Sequence, residues 1–176
     1  MHNKVVFRVA KAAVQAGLPT LRFNFRGVGK STGSYSEGIG ECDDVGAALT
    51  YLGTRFPGVP VCVIGFSFGA TVGLRVGATH PRVVALIGLG VPIASASLDF
   101  LLGVQKPKLI VQGTRDQFGP RGEVESFYGS LAEPKRIYWV QDADHFFTGK
   151  LEEVQRAVRE FLRSELTVKS GDRVIR

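Results

Sequence analysis

The chain has 176 residues, of which 44% are hydrophobic and 22% charged, with a formal net charge of +6. Such values are ordinary for one soluble globular domain. No apolar run approaches the roughly 20 residues of a membrane helix, the basic residues are too scattered to indicate a nucleic-acid partner, and Cys42 and Cys62 are expected to be free thiols in the cytoplasm.

The chain begins with apolar residues at helical spacing. The pattern runs from Val5 to Ala16, and Gly17 ends it. Residues 20–25 are predicted to form a strand, and residues 27–40 a loop rich in glycine and serine. A second helix follows, and its apolar face consists of Val45, Ala48, Leu49 and Leu52.

Residues 65–69 have the pattern Gly-x-Ser-x-Gly. The apolar run at 60–64 predicts a buried strand before it, and residues 70–78 predict a helix after it. A serine on a tight turn between strand and helix has an exposed hydroxyl and lies at the positive end of the helix. We expect both flanking glycines to be needed because a Cβ at either would clash with the backbone. Ser67 is therefore the predicted nucleophile.

Strands and helices continue to alternate up to residue 166. Three further strands are predicted at 83–89, 108–112 and 136–140, with a short helix around Phe127. The last helix has one apolar face, formed by Leu151, Val154, Val158, Phe161 and Leu162. The alternation predicts an α/β fold: a three-layer α/β/α sandwich with a mostly parallel sheet. We expect a single domain over 1–166 and a polar tail over 167–176.

Three chemically suitable residues follow predicted strands: Ser67, Asp116 and His145. Because parallel strands end at one edge of a sheet, loops that follow them can assemble a site. A serine hydroxyl is a poor nucleophile at neutral pH unless an imidazole takes its proton and a carboxylate orients that imidazole. The order serine, acid, histidine suits this architecture. His145 is thus the predicted base and Asp116 the orienting acid.

Other residues of the same types compete for these roles. His2 and His80 lie at predicted helix ends, where a structural role is expected. The acid could be one of three other aspartates: Asp99, Asp142 and Asp144. Asp144 adjoins the histidine in sequence, so its side chain would normally diverge from the imidazole. Asp142 is better interpreted as a turn residue, which favours Asp116.

The loop at 27–31 ends in Gly-Lys-Ser, as a phosphate-binding P-loop does. Asn24, however, stands where that motif requires its first glycine, and no helix is predicted from Lys30 onward. We therefore expect no nucleotide here. Arg26 is expected to brace the loop through backbone carbonyls or a carboxylate.

The chain resembles α/β-hydrolases, and more narrowly small bacterial hydrolases related to dienelactone hydrolases and prolyl-oligopeptidase-type domains. The segments that carry the resemblance are 24–31, 65–69, 113–116 and 144–147. In that family the serine attacks a carbonyl, an acyl-enzyme forms, and water releases it. The resemblance implies a serine esterase that uses the N–H of Phe68 as an oxyanion donor. No cofactor or metal is expected, because the His and Cys residues are too few and too dispersed for a metal cluster.

Many lipases of this fold insert a large lid before the acid. Here residues 90–107 are short, and only 96–102 can form a small apolar cap. An open pocket, to which the phenylalanines at 66, 68, 100, 118, 146 and 147 could contribute, favours small soluble esters as substrates. Neither a nucleic acid nor a membrane is an expected partner.

The N-terminal part departs from the family, whose members begin with strands before the first helix. Segment 20–25 corresponds to the family's fourth strand, so the central third strand and the second oxyanion donor have no visible source. A truncated reading frame or a fragment of a longer protein is the preferred explanation. Segment 20–25 could pair directly with 61–66, another chain could fill the gap, or the sheet could be split.

The absence of a visible third strand from the centre of the sheet leads to two further expectations. An exposed sheet edge favours self-association, which makes a homodimer possible. The alternative to an active esterase is a catalytically impaired remnant of the fold that acts as a binding or oligomerising module.

Overall fold

Helices and strands alternate along residues 3–166, the part of the chain that the computed structural model describes. The predicted tail at 167–176 lies outside the described residues. The helices are α1 (Lys4–Gln15), α2 (Ile39–Arg55), α3 (Phe68–Thr79), α4 (Arg121–Ser130) and α5 (Leu151–Leu166). The strands are β1 (Val61–Phe66), β2 (Val83–Leu89), β3 (Lys108–Gly113) and β4 (Lys135–Val140). None of the helices within residues 3–166 combines the length and apolar character needed to span a bilayer.

The four strands form one sheet in the order β1-β2-β3-β4, and each neighbouring pair is parallel. Phe66 at the end of β1 pairs with Leu89 at the end of β2, and Gly113 at the end of β3 pairs with Val140 at the end of β4. The carboxyl ends of all four strands therefore lie at one edge, and the predicted α/β fold with a parallel sheet is confirmed.

Two apolar clusters cover the two faces of the sheet. One cluster joins α1 and α5 to the sheet, and the other joins α2, α3 and α4 to it. In β2, Ile87 belongs to the first cluster and Leu86 to the second, because successive side chains of a strand point to opposite faces. Burial on both faces explains why β2 is a continuous apolar run rather than an alternating one.

The predicted strand at 20–25 is wrong. The segment makes no ladder with β1, which pairs with β2 alone, and the backbone of residues 20–23 makes no hydrogen bond within the described residues. An apolar cavity of about 450 Å³, lined by both 18–25 and 59–66, lies between the two. A strand needs a neighbour to satisfy its backbone, and this segment has none. Direct pairing, one of the three arrangements considered above, does not occur.

Candidate active site

Ser67 occupies the turn between β1 and α3 with φ at +53° and ψ at −124°. Few residues other than glycine adopt positive φ, and such strain concentrates at functional sites. Its N–H donates to the carbonyl of Leu89, 2.9 Å away, which ties the turn to β2. A Cβ on Gly65 would collide with the backbone of Gly69 and Ala70. The tight turn therefore requires glycine two residues before the serine.

The second flanking glycine does not have the role expected from the sequence. A Cβ on Gly69 would meet only a ring carbon of Phe25, at 4.0 Å, which is ordinary van der Waals contact. The expectation that both glycines avoid a backbone clash is thus wrong for Gly69.

A hydrogen-bonded series joins the three predicted site residues. The Nε2 atom of His145 lies 2.8 Å from the Oγ of Ser67. Its Nδ1 atom lies 2.9 Å from Oδ2 of Asp116 and 3.1 Å from Oδ1. With Nδ1–H donating to the carboxylate, Nε2 is the acceptor for the serine hydroxyl. The imidazole and the carboxylate are both buried, with 5% and 0% of the side chain exposed.

The carboxylate of Asp116 is held by the loop in which it lies as well as by the imidazole. Its Oδ1 accepts the N–H of Phe118 at 2.9 Å, and its Oδ2 accepts the amide Nε2–H of Gln112 at 2.8 Å. Both oxygens are thus bonded to protein donors on the side away from the histidine. This fixes the carboxylate plane toward Nδ1.

Gln112 is a site residue that sequence reasoning missed. Its side chain is fully buried, its Oε1 accepts the N–H of Val91 at 2.8 Å, and its Nε2 also donates to the carbonyl of Gly119 at 3.3 Å. One amide therefore joins β3, the loop after β2 and the acid. The signal was a polar residue directly after the apolar run Leu109–Val111 of the strand, four positions before Asp116.

Aromatic rings enclose the imidazole of His145. The ring centroids of Phe66, Phe118 and Phe146 lie 5.0, 4.6 and 5.2 Å from its own. Gly90 has φ at +51°, and a Cβ there would lie 3.3 Å from the imidazole, so this loop must pass the ring without a side chain. Phe118 and Phe146 are exposed beside the site.

Not every phenylalanine considered for a pocket lies near the histidine. Phe147 is fully buried in the cluster beneath α1 and α5. Phe68 packs against Phe25 and Tyr35, and Phe100 packs beneath the guanidinium of Arg75. Phe147 therefore belongs to the core and not to an open pocket.

Two of the three competing acids have other partners. Asp144 accepts both the N–H of Thr148, at 2.9 Å, and its hydroxyl, at 2.8 Å. The hydrogen bond from this N–H lowers the pKa of Asp144 below its usual range. Asp142 has φ at +57°, as a turn residue does, and forms an ion pair with Arg115 at 2.7 Å. Asp116 alone of these three contacts the imidazole through hydrogen bonds.

Arg26 braces the glycine-rich loop against α2 through a carboxylate. Its Nη2 donates to Oδ1 of Asp44 at 2.9 Å, and its backbone N–H donates to Oδ2 at 2.8 Å. Glu41, at the start of α2, accepts the N–H groups of Ser36 and Gly38, both at 2.9 Å. Although burial opposes its charge, these N–H groups hold the pKa of Glu41 below its usual range. The loop is thus fastened by acidic side chains of the helix.

Comparisons with known proteins agree with this fold. A family model described as an alpha/beta hydrolase domain matches residues 1–161. An uncharacterized protein of Rickettsia prowazekii (strain Madrid E) is 32% identical over 180 residues, which is 97% of this chain and 74% of that protein.

Solved structures show the same similarity. An alpha-beta serine hydrolase homologue from Coxiella burnetii has a TM-score of 0.87 and 37% identity, over 92% of this chain and 77% of its own. A protein from Xanthomonas campestris, described as an a/b serine hydrolase without lid, has a TM-score of 0.87 and 33% identity, over 96% and 77% of the two chains.

Proposed function

The chain belongs to the alpha/beta hydrolase domain family, and from this premise we propose that it is a serine hydrolase that cleaves small carboxylic esters through an acyl-enzyme. The observation that carries the proposal is the series of hydrogen bonds from Asp116 through His145 to Ser67, at 2.9 and 2.8 Å. Such a series allows a buried imidazole to take the serine proton while the carboxylate stabilises the resulting cation.

In the first half of the proposed reaction, the Oγ of Ser67 attacks the ester carbonyl carbon and its proton passes to Nε2 of His145. The carbonyl oxygen becomes an oxyanion near the start of α3. The N–H of Phe68, one of the first helical N–H groups that have no partner inside the helix, would donate to it. Collapse of the intermediate breaks the bond to the alcohol, which leaves with the proton from Nε2.

In the second half, water takes the position of the departed alcohol. His145 removes a proton from the water as the oxygen attacks the acyl carbon, and Asp116 again stabilises the imidazolium. The bond to Ser67 then breaks, and the proton returns to its Oγ. The products are a carboxylic acid and the regenerated hydroxyl.

The surroundings of the site support small esters as substrates. The segment between β2 and β3 contains only a short 3₁₀ turn, Asp99–Leu101, and both Leu98 and Leu101 are buried in the core. The exposed rings of Phe118 and Phe146 offer apolar contact for an acyl group beside the imidazole. The Xanthomonas protein with the same fold is itself described as lacking a lid.

Replacing the serine tests the proposal. We expect Ser67→Ala to lower kcat on p-nitrophenyl acetate by roughly 10⁴- to 10⁶-fold, because residues of such a unit show losses of this size. A fluorophosphonate probe should label the wild-type protein at Ser67 and should not label the variant. Ser126→Ala, an exposed serine of α4, is the matched control and should keep both properties. Full activity in Ser67→Ala would refute the serine mechanism.

A second candidate function is a binding or oligomerising module that retains the three side chains without turnover. The unpaired edge of β1 favours it, because open edges recruit other chains. A folded protein that the fluorophosphonate leaves unlabelled would support this alternative. The homodimer and the cytoplasmic location expected from the sequence are likewise proposals.

A further inference from the structure

Two loops of the candidate site lie against each other where β3 and β4 end. We call residues 114–120, which follow β3, the acid loop, and residues 141–150, which follow β4, the histidine loop. A Cβ on Gly113, the last residue of β3, would collide with the carbonyl oxygen of Ala143 and lie 2.8 Å from that of Asp144. The histidine loop thus packs so closely onto the end of β3 that only glycine fits there. The position of each loop therefore depends on the other.

Four contacts join the start of the acid loop to the start of the histidine loop, and we call them together the loop bridge. The N–H of Thr114 donates to the carbonyl of Val140 at 3.1 Å, and the N–H of Arg115 donates to that of Ala143 at 3.0 Å. The N–H of Asp142 donates to the Oγ1 of Thr114 at 2.8 Å. The guanidinium of Arg115 lies 2.7 Å from the carboxylate of Asp142. One of these four contacts is a hydrogen bond to a side-chain hydroxyl.

That hydroxyl is the part of the loop bridge that depends most on the type of amino acid. Two of the contacts join backbone to backbone, so nearly any residue can make them. The ion pair between Arg115 and Asp142 is exposed on both sides, with 72% and 52% of the side chains accessible. Exposed ion pairs contribute little to stability. The specific contribution therefore comes from the Oγ1 of Thr114.

The turn that this hydroxyl fastens is a strained one that leads directly to the histidine. Asp142 has φ at +57°, a left-handed conformation that residues other than glycine seldom adopt. Its N–H is held by Thr114, and only two residues separate it from His145. On the far side of the histidine, the fully buried ring of Phe147 anchors the loop in the core. His145 is thus held between an apolar anchor and the loop bridge.

We propose that Thr114 is a positioning residue whose hydroxyl fastens the histidine loop to the acid loop and so sets the spacing between His145 and Asp116. The inference rests on the proposed function and extends it to a residue outside the hydrogen-bonded series. Nδ1 of the imidazole lies 2.9 Å from the carboxylate, and its Nε2 lies 2.8 Å from the Oγ of Ser67. A displacement of the histidine loop would change both distances at once.

Two substitutions of Thr114 separate its hydroxyl from its methyl group. Thr114→Val keeps the shape of the side chain and removes the hydroxyl, whereas Thr114→Ser keeps the hydroxyl and removes the methyl group. We expect Thr114→Val to lower kcat for p-nitrophenyl acetate about 10-fold with KM nearly unchanged, because small displacements of catalytic groups slow the chemical step. Thr114→Ser should stay within about twofold of the wild type, since it can accept the same hydrogen bond.

Thr54→Val is the matched control. Its exposed hydroxyl donates to the carbonyl of Thr50 within α2 at 3.2 Å, so its loss should leave kcat unchanged. Thr114→Ala removes the hydroxyl without adding bulk, should behave as Thr114→Val does, and takes its place if the valine variant does not fold. Wild-type kcat in a folded variant without the hydroxyl, or equal losses in the valine and serine variants, would overturn the proposal.

A measurement that needs no turnover separates this inference from the proposed function. The proton that Nδ1 of His145 donates to Asp116 should resonate far downfield in the ¹H NMR spectrum, because a charged acceptor makes the hydrogen bond short. We expect Thr114→Val to move this resonance upfield and to speed solvent exchange of the Asp142 amide, and Thr114→Ser to change neither. An unchanged resonance in Thr114→Val would overturn the positioning role.

The two ideas fail in different ways. A wild-type protein without esterase activity would refute the proposed function, and the NMR shift would still decide whether Thr114 sets the contact between His145 and Asp116. An active wild type whose valine variant has the same kcat and the same resonance would refute the role of Thr114 alone.

Discussion

The amide of Gln112 holds the carboxylate of Asp116 by a 2.8 Å hydrogen bond and joins it to the loop that follows β2. It touches neither the serine nor the imidazole, so it acts through the acid as a positioning residue. A small displacement of a catalytic group can cost about 10²-fold in rate. Replacing the side chain that holds the proposed acid is therefore expected to lower the rate.

Gln112→Leu keeps the approximate size of the side chain and removes its polar atoms. We expect kcat for p-nitrophenyl acetate to fall by about 10- to 100-fold with KM nearly unchanged, because the carboxylate loses a fixed donor. Three buried groups, the N–H of Val91, the Oδ2 of Asp116 and the carbonyl of Gly119, also lose a partner, at a cost of about 1–3 kcal/mol each in the free energy of unfolding. Gln141→Leu, at an exposed position, is the matched control.

Gln112→Glu separates positioning from simple packing. A protonated glutamic acid can donate to Asp116 as the amide did, whereas a charged one repels it. The activity of the variant relative to the wild type should therefore rise as the pH is lowered from 8 to 5. A ratio that stays constant across this range would mean that Gln112 matters only for folding.

At the scale of elements, Arg26 and Asp44 join the glycine-rich loop to α2. Nε and Nη2 of Arg26 both donate to Oδ1 of Asp44, at 3.1 and 2.9 Å, and the backbone N–H donates to Oδ2. These hydrogen bonds, first of all that from the guanidinium, lower the pKa of Asp44 below its ordinary value. Loop conformation is thereby linked to the charge of one carboxylate.

This link predicts a pH dependence of stability with a definite sign. Because the pKa is lower in the folded state, the carboxylate stabilises the fold fully above its ordinary pKa of about 3.9 and loses this effect as the pH falls through the folded value. Asp44→Asn should lower the urea midpoint at pH 6, and its difference from the wild type should shrink toward pH 3. Asp43→Asn, whose carboxylate is 83% exposed and 3.8 Å from Arg26, should show little of either effect. A difference that is constant with pH would contradict the assignment.

Elements were predictable where local pattern and tertiary environment agree. The apolar spacing of α5 and the apolar runs of β2 and β3 predicted the correct type of secondary structure, because those residues are buried as the patterns imply. Segment 20–25 has the composition of a strand, yet it forms none, since a strand also depends on a neighbour that no local pattern specifies. The role of Gln112 was missed for the same reason. Its partner Val91 is distant in sequence, and its partner Gly119 lies in a loop outside the strand.

At the scale of the whole molecule, the parallel sheet brings the site together. Each site residue follows a strand, and aligned carboxyl ends place these loops at one edge, so the grouping of Ser67, Asp116 and His145 was predictable from chain order alone. The distances between them were not, because they depend on contacts such as the hydrogen bonds of Gln112 and the aromatic rings around the imidazole. The sheet topology therefore determines which loops form the site, and side-chain packing determines the distances between the site residues.

The loops at this edge of the sheet also determine how a substrate reaches Ser67. In the segment from β2 to β3, Leu98 and Leu101 are buried in the cluster beneath α3 and α4, which supports the proposal that this segment leaves the site open. A short acyl group can lie against Phe118 and Phe146, whereas a long one would extend into water and gain no further burial, although each buried CH₂ is worth about 0.8 kcal/mol.

We therefore expect kcat/KM to be highest for p-nitrophenyl acetate or butyrate and to be much lower for the palmitate. Without a mobile cover there is nothing for a lipid surface to displace, so the rate on tributyrin should not jump when the substrate exceeds its solubility.

Phe118→Ala should lower kcat/KM for the butyrate more than for the acetate, because the longer chain loses apolar contact. Phe56→Ala, which removes a comparably exposed ring that lines the apolar cavity between residues 18–25 and 59–66, should leave the ratio unchanged. Hydrolysis confined to emulsified long-chain esters would refute the open site. Such a preference requires a cover that opens at a lipid surface, and residues 90–107 would have to form that cover.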